Sequence, residues 1–387
     1  MNLRFAAYWF GLVFALALSL FCSVSGAQTL TPHQTVTLGN QTYVVQRRLG
    51  QGGWKTAYLL RRVPCAQNCE VVVGVYGGKD YAEHSPHRTD SAMQTLLSRR
   101  RGPFLRRESR AERLSVDGNS YTVSVAEFAP YEVGKVRALL AADPHALRIL
   151  AEQLHGAIQT LSRDRLIHVD IKPSNLYYTG SAYPTGQSIR SGNAYLLAAD
   201  FDVILSQDQL LYQSEGTQEY LPPELMYVTE EIPAEVTPES ARWAASLTIW
   251  EIYTGQHLYY DPEVRRLLNV REGALPLLIP ENVTALQAYV RAYLNYEIQS
   301  RRRVALHTQA EELGWIRDWI IQGLAWRPEE RFMRLRPPPE HRNARKLRAH
   351  AIRRHFGQRM QNWLRILGDS ACPPTLGDTL PFLDPDS

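Results

Sequence analysis

Apolar residues fall along this chain in blocks of differing period, and each block predicts an element. The longest is uncharged, running from Phe5 to Val24 between Arg4 and the small residues Ser25, Gly26 and Ala27. Val71 to Tyr76 (VVVGVY) is a predicted strand, joined to the one before it by a short link flanked by Cys65 and Cys69. Phe104 to Leu114 (FLRRESRAERL) places apolar or small residues at helical spacing, which predicts a helix with Glu108 and Glu112 sharing one face. Leu196 to Phe201 is another apolar run, ending in Asp200-Phe201-Asp202. Towards the C-terminus, Leu347, Ile352, Phe356, Trp363, Leu364 and Leu367 recur near helical spacing opposite Arg345, Lys346, Arg348, Arg353, Arg354 and Arg359. That pattern predicts a helix docked by its apolar side with a solvated basic face. Thr179 to Asn193, rich in Gly, Ser and Tyr, reads as a loop, and Cys372 to Ser387 as a loose tail.

The first block sets the compartment. Met1 to Ala27 has the layout of a secretory signal peptide cut near Ala27, and its run also approaches the roughly 20 residues that span a bilayer, so a retained anchor is the alternative. Either way Arg4 on the short side predicts that the rest of the chain crosses the membrane, to be secreted or to stay anchored on the non-cytosolic side. In an oxidising compartment a Cys65–Cys69 bond would stabilise by roughly 2 kcal/mol. Two free thiols are the alternative, and no His pair lies nearby to suggest zinc.

With 387 residues, 44% hydrophobic and 21% charged, the chain is long enough for one two-part domain or two small ones with a proper core. The net charge of +4 is small, but it is unevenly spread: from Arg334 to Arg365 the only acid is Glu340, and Arg residues crowd positions 99 to 113. Both runs read as solvated faces; the sharper option is an acidic partner or a self-recruited phosphate for positions 99 to 113, and a membrane surface or an acidic partner for the tail. No nucleic-acid partner is expected.

The strongest chemical signal is His168-Val169-Asp170-Ile171-Lys172-Pro173-Ser174-Asn175. Asp170 offers a carboxylate for a hydroxyl proton, Lys172 a cation for a moving phosphate, and Asn175 an amide oxygen for a metal; phosphoryl transfer needs those three groups. The stretch resembles the catalytic loop of protein kinases. Other pieces follow in that family's order. Asp200-Phe201-Asp202 resembles the Asp-Phe-Gly element whose Asp holds Mg²⁺. Gly216-Thr217-Gln218-Glu219-Tyr220-Leu221-Pro222-Pro223-Glu224 resembles the end of a serine/threonine kinase activation segment. Trp243 to Gly255 (WAASLTIWEIYTG) resembles the buried central helix, and Leu324 to Arg331 (LAWRPEER) the motif whose Arg pairs with the Pro-Glu carboxylate. The resemblance covers about residues 42 to 333. It implies an α+β, two-lobed kinase-like fold with a small β-rich N-lobe (36–127), a larger helical C-lobe (128–334) and a basic helical extension (335–387) after the 1–27 leader.

The nucleotide end departs from the usual pattern. Leu49 to Tyr58 (LGQGGWKTAY) resembles the Gly-rich loop, with Gly50, Gly52 and Gly53, but Lys55 stands where the third glycine belongs. Val71 to Tyr76 ends in Tyr76 where that family's phosphate-binding lysine would be. Both features resemble the With-No-lysine kinases and imply that Lys55 meets the phosphates, held by Glu108, with Lys79 a lesser candidate. Glu127-Phe128-Ala129-Pro130 resembles the hinge, so Glu127 and Ala129 would hold adenine through their backbones. Val169 replaces an arginine that receives a loop phosphate, which argues against that mode of activation, and Ala241 replaces an aspartate that steadies the catalytic loop. The implied ligands are ATP and Mg²⁺ (or Mn²⁺), held by Asn175 and Asp200. The implied activity is phosphate transfer to Ser or Thr of a protein substrate. A catalytically silent partner-binding pseudokinase and another transfer chemistry on the same fold are the alternatives.

Overall fold

The computed structural model describes residues 29–51, 55–64, 69–76, 102–201, 204–207, 209–331, 338–340 and 342–367. They divide into two compact units: one holds 108–128 and the described residues up to 76, the other 102–107 and those from 129 on. The leader read over Met1 to Ala27, along with Gly52, Gly53, Lys79 and Asp202, lies outside the described residues. Among the described residues, no helix is long and apolar enough to cross a membrane.

The first unit is a closed barrel of β1 (Thr35–Leu38), β2 (Gln41–Gln51), β3 (Lys55–Arg62), β4 (Glu70–Tyr76), β5 (Glu108–Val116) and β6 (Asn119–Glu127), in the order β1-β2-β3-β4-β6-β5. Alternation builds it. Val71, Val73 and Val75 of β4 turn inward with Tyr58 and Leu60 of β3 and with Val123 and Val125 of β6, all buried. Closure leaves no unpaired edge.

The helix predicted over Phe104 to Leu114 does not form. Phe104 and Leu105 belong to the core of the second unit, and the chain from Glu108 is β5, paired antiparallel with β6 through Leu114↔Tyr121 and Val116↔Asn119. A segment of small and charged residues satisfies either period, and burial of Leu114 and Val116 in the barrel selects the strand. Asp117 (φ 49°) and Gly118 (φ 81°) form the tight turn between the two strands, a pairing whose twist suits a hairpin.

The second unit is mostly helical: α1 (Val133–Ala142), α2 (Pro144–Arg163), α3 (Gly186–Ser191), α4 (Pro223–Met226), α5 (Pro238–Thr254), α6 (Pro262–Leu267), α7 (Pro280–Arg303), α8 (His307–Gly323) and α9 (Arg342–Leu367). Small sheet pieces, β7 (Tyr131–Glu132), β8 (Leu166–His168), β9 (Leu176–Gly180), β10 (Ala194–Ala198) and β11 (Ile204–Ser206), lie among them. α5, the block read from Trp243 to Gly255, starts on Pro238, is buried almost all round, and stops at Gly255 in the left-handed conformation. The stretch read as a loop over Thr179 to Asn193 instead closes a hairpin of β9 and β10 and contains α3, capped by Thr185. Arg190 of α3 pairs with Asp143, the N-cap of α2.

The apolar side of α9 sinks Ile352, Phe356, Met360 and Trp363, whereas Leu347 is exposed. Its arginines are not all solvated. Arg348 is buried against Glu340, and Arg359 donates to the carbonyls of Pro103 (3.0 Å) and Leu105 (3.1 Å) and to the Tyr195 hydroxyl (3.1 Å). Arg107, in the segment read as a basic surface, is also buried, with its guanidinium 5.2 Å from the centre of the Phe356 ring. A charge run counted in sequence therefore overstates the solvated face.

Candidate active site

The catalytic-loop residues meet in the second unit. β8 pairs with β11 and delivers His168, after which the chain runs extended through Lys172 and turns through the single 3₁₀ turn Pro173–Asn175. His168 is structural: Asp170 N–H donates to its Nδ1 (3.3 Å), so its Nε2–H donates to the Ala199 carbonyl (3.0 Å), and its ring packs edge-on against Phe201. These bonds orient the backbone that carries Asp170.

Both carboxylate oxygens of Asp170 are engaged. Oδ1 accepts from the Thr217 N–H (2.9 Å) and hydroxyl (2.5 Å), and Oδ2 from Asn175 Nδ2 (2.9 Å) and the Lys172 ammonium (2.9 Å). The Lys172 ammonium also donates to the Thr217 hydroxyl, closing the cluster. Burial opposes ionisation of Asp170, but the Lys172 charge and the Thr217 and Lys172 hydrogen bonds outweigh it and hold the carboxyl below its ordinary value. The group is therefore a carboxylate at neutral pH.

Thr217 reaches Asp170 because the residue before it has no side chain. Gly216 adopts φ 97°, and a Cβ there would stand 3.0 Å from the Val169 carbonyl oxygen. Further along, Tyr220 donates to Glu251 of α5, and Glu224 takes Arg331 in a two-pronged pair (2.6 and 2.9 Å). The pair expected from the sequence is thus present, and it anchors the segment to the core.

Asn175 spends its amide nitrogen on Asp170, both side chain and carbonyl, which turns its Oδ1 away from them. Its own carbonyl accepts from Ala199 N–H (2.9 Å), so the two chains that carry Asn175 and Asp200 are adjacent. Asp200 has a left-handed backbone (φ 62°), unusual for a residue with a Cβ and costing roughly 1 to 3 kcal/mol. An amide oxygen and a carboxylate form an oxygen-only donor set, which fits a hard divalent cation such as Mg²⁺ completed by phosphate oxygens and water.

One support has no counterpart in the motifs: Ala241 is buried and offers no polar group, but the hydroxyl of Thr248 on the same helix lies 3.3 Å from the Ile171 carbonyl, a weaker contact that reaches the catalytic loop from α5. Its hydroxyl also back-bonds to Ala244, the usual sink for a helical threonine, and only the fold reveals the second partner.

Of the described residues read as nucleotide contacts, Gly50, Lys55, Glu108 and Glu127 lie in the barrel and Ala129 in the second unit. Gly50 is on β2 opposite Ala57, and Lys55 opens β3 directly opposite Tyr76. Glu127 ends β6, while Ala129 is buried in the core of the second unit. Glu108 is not on a helix: it is a buried residue of strand β5, opposite Ala126.

Comparison with known proteins agrees with this geometry. Residues 119–300 match the model of the protein kinase domain family. The chain is 25% identical over 271 residues to the serine/threonine-protein kinase TIO of Arabidopsis thaliana, covering 68% of this chain and 18% of that protein. It is 24% identical over 162 residues to a Wee1-like protein kinase of the same plant, covering 42% of this chain and 28% of that one. This chain thus spans only a minor part of either relative's length. The matches, the β-rich first unit and the mostly helical second one are together consistent with a two-lobed protein-kinase fold.

Proposed function

We propose that this chain is an ATP-dependent protein kinase that moves the γ-phosphate onto serine or threonine hydroxyls of a protein substrate, and that it acts outside the producing cell's cytosol. The observation that carries the reading is the closed cluster of Asp170, Lys172, Asn175 and Thr217. An ionised Asp170 orients an acceptor hydroxyl and receives its proton. The hydroxyl oxygen forms the new bond to phosphorus while the bond to the β–γ bridging oxygen breaks, and ADP leaves with that electron pair. Lys172, beside Asp170, offsets the charge on the transferring group. Asn175 and Asp200 would hold the divalent metal, which supplies charge neutralisation on the phosphates when bound.

Lys55 is our choice for the phosphate-binding lysine. Tyr76 occupies the strand position directly opposite, and the lysine stem runs across the bare backbone of Gly74. The Gly50 strand and the backbones of Glu127 and Ala129 remain the proposed nucleotide contacts. Export is supported by the leader-like Met1 to Ala27 and by the disulfide at Cys69, a bond typical of oxidising compartments.

The reaction is tested with the purified chain, γ-labelled ATP, Mg²⁺ or Mn²⁺ and a generic basic protein, followed by hydrolysis to phosphoamino acids. Label on serine or threonine is the expected result. Label confined to tyrosine would refute the acceptor assignment. ATP binding without any transfer would favour the pseudokinase.

A further inference from the structure

We propose that Gly74 is a positioning residue for Lys55: a notch in the barrel's outer face through which the lysine stem crosses from its own strand towards the phosphates. The inference rests on the Lys55 assignment above and adds a second, specific requirement to it.

Gly74 pairs with Ala57 on β3 and with Ser124 on β6, and all three project to the side opposite the valine core. Lys55 shares that face, since its partner Tyr76 is two residues beyond Gly74. A Cβ built on Gly74 would stand 3.1 Å from Lys55 Cδ, 3.8 Å from its Cγ and 2.4 Å from Ser124 Oγ. The first contact is tighter than side chains ordinarily tolerate, and the last is closer than any real one. The stem of Lys55 thus lies diagonally across the position a side chain would fill, between Ala57 and Ser124.

An interior strand glycine is costly, because it packs nothing and loses the most backbone freedom on folding. Here φ is not positive and no turn or bulge needs it, so conformational freedom does not explain the residue. Close approach does. A lysine at position 76 would project from β4 itself and would have no reason to cross Gly74. A lysine at position 55 starts one strand away, and its route passes over residue 74. Gly74 and Lys55 are therefore a matched pair, and the missing side chain is the structural complement of the moved amine.

The test measures the phosphate-dependent part of nucleotide binding, the ratio of the adenosine Kd to the ATP Kd, by titration with each ligand in Mg²⁺. Lys55→Met should lower this ratio by at least about tenfold. Gly74→Val, which fills the notch, should lower it by about the same factor while leaving adenosine binding near its original value, because a misplacement of about 1 Å is enough to lose such a contact. In the Lys55→Met background Gly74→Val should add less than about twofold, since there is no longer an amine to misplace. Where Gly74→Val melts too low to assay, Gly74→Ala in a Ser124→Ala background removes the Oγ clash and leaves only the contact with Lys55; it is compared with Ser124→Ala alone and should shift the ratio the same way. Equal losses with and without Lys55 would overturn the notch and make Gly74 a packing residue only. A full Lys55→Met effect beside an inert Gly74 substitution would overturn the notch and leave the lysine assignment standing. No effect of Lys55→Met would overturn both.

Discussion

The pair between Glu224 and Arg331 allows a stability prediction to be worked through. Arg331 is fully buried: its two Nη atoms bind the Glu224 carboxylate at 2.6 and 2.9 Å, its Nε the Ala325 carbonyl at 2.8 Å, and Nη2 the Trp326 carbonyl at 3.1 Å. The guanidinium also lies 5.0 Å from the centre of the Trp243 ring on α5. Glu224→Gln keeps the shape but leaves a buried cation with only dipoles around it, and one amide N–H₂ now faces its N–H groups. Breaking one side of such a pair costs about 3 to 5 kcal/mol. Arg331→Met strands Glu224 instead, but that side chain is 22% exposed and keeps the Ser240 hydroxyl, so its charge is partly solvated. Its cost comes as much from the carbonyls of Ala325, Trp326 and Glu239, which lose the guanidinium, and should fall at the lower end of the same range. At about 2 to 4 °C per kcal/mol for a domain of this size, either variant should melt roughly 6 to 20 °C lower, with Glu224→Gln the worse. Thermal and urea unfolding of the two variants measure this, with Arg266→Gln as control, whose pair with Glu263 is exposed and should leave Tm within about 2 °C. A loss below about 1 kcal/mol in both variants, or a stabilised Arg331→Met, would refute the reasoning.

Three further outcomes follow from the same physics. His145 is held protonated by hydrogen bonds to Glu312 and Glu340, against burial and the nearby Arg148, so its pKa rises from 6.5 to about 9; the stability it contributes, up to about 3 kcal/mol, is complete below pH 6.5 and lost as pH rises through about 9, and His145→Gln should flatten the fall in Tm between pH 7 and 10. Arg359→Ala removes three hydrogen bonds that tie α9 to residues 103–105 and Tyr195, so amide exchange in α9 should speed by at least about tenfold with the rest of the second unit little changed; uniform acceleration would contradict that local role. Thr217→Val deletes the hydroxyl that favours the Asp170 anion, so the acid limb of the pH–rate profile should move to higher pH, and an unmoved limb would show that Asp170 is not the group titrating there.

Much of the site was legible because its chemistry is local. Asp170, Lys172 and Asn175 lie within six positions, and a run through one short turn is enough to bring them together. The same holds for α5, whose apolar residues continue on every side and allow only a buried helix. Glu224 and Arg331 were legible through motif order, although 107 positions separate them. Phe104 to Leu114 was misread because its few apolar residues fit both periods, and the Asp117-Gly118 turn signal just beyond it was the better guide. Arg107, Arg348 and Arg359 were read as solvated because a sequence shows charge but not the carbonyls, rings and carboxylates that receive it. Gly74 carried no signal at all: a glycine among valines takes on meaning only once Lys55 is seen crossing it.

The central claim, that Asp170 is the group that receives the acceptor's proton, is tested most directly by Asp170→Asn. The substitution keeps an oxygen for Thr217 but turns an amide N–H₂ towards Asn175 Nδ2 and the Lys172 ammonium, so thermal unfolding first checks that the variant is folded, and its ATP and Mg²⁺ binding should stay close to that of the unaltered protein. Single-turnover transfer from γ-labelled ATP should fall by at least about 10²-fold, the range a positioned base supplies. A variant that binds ATP normally and transfers phosphate within about threefold of the unaltered chain would contradict the account.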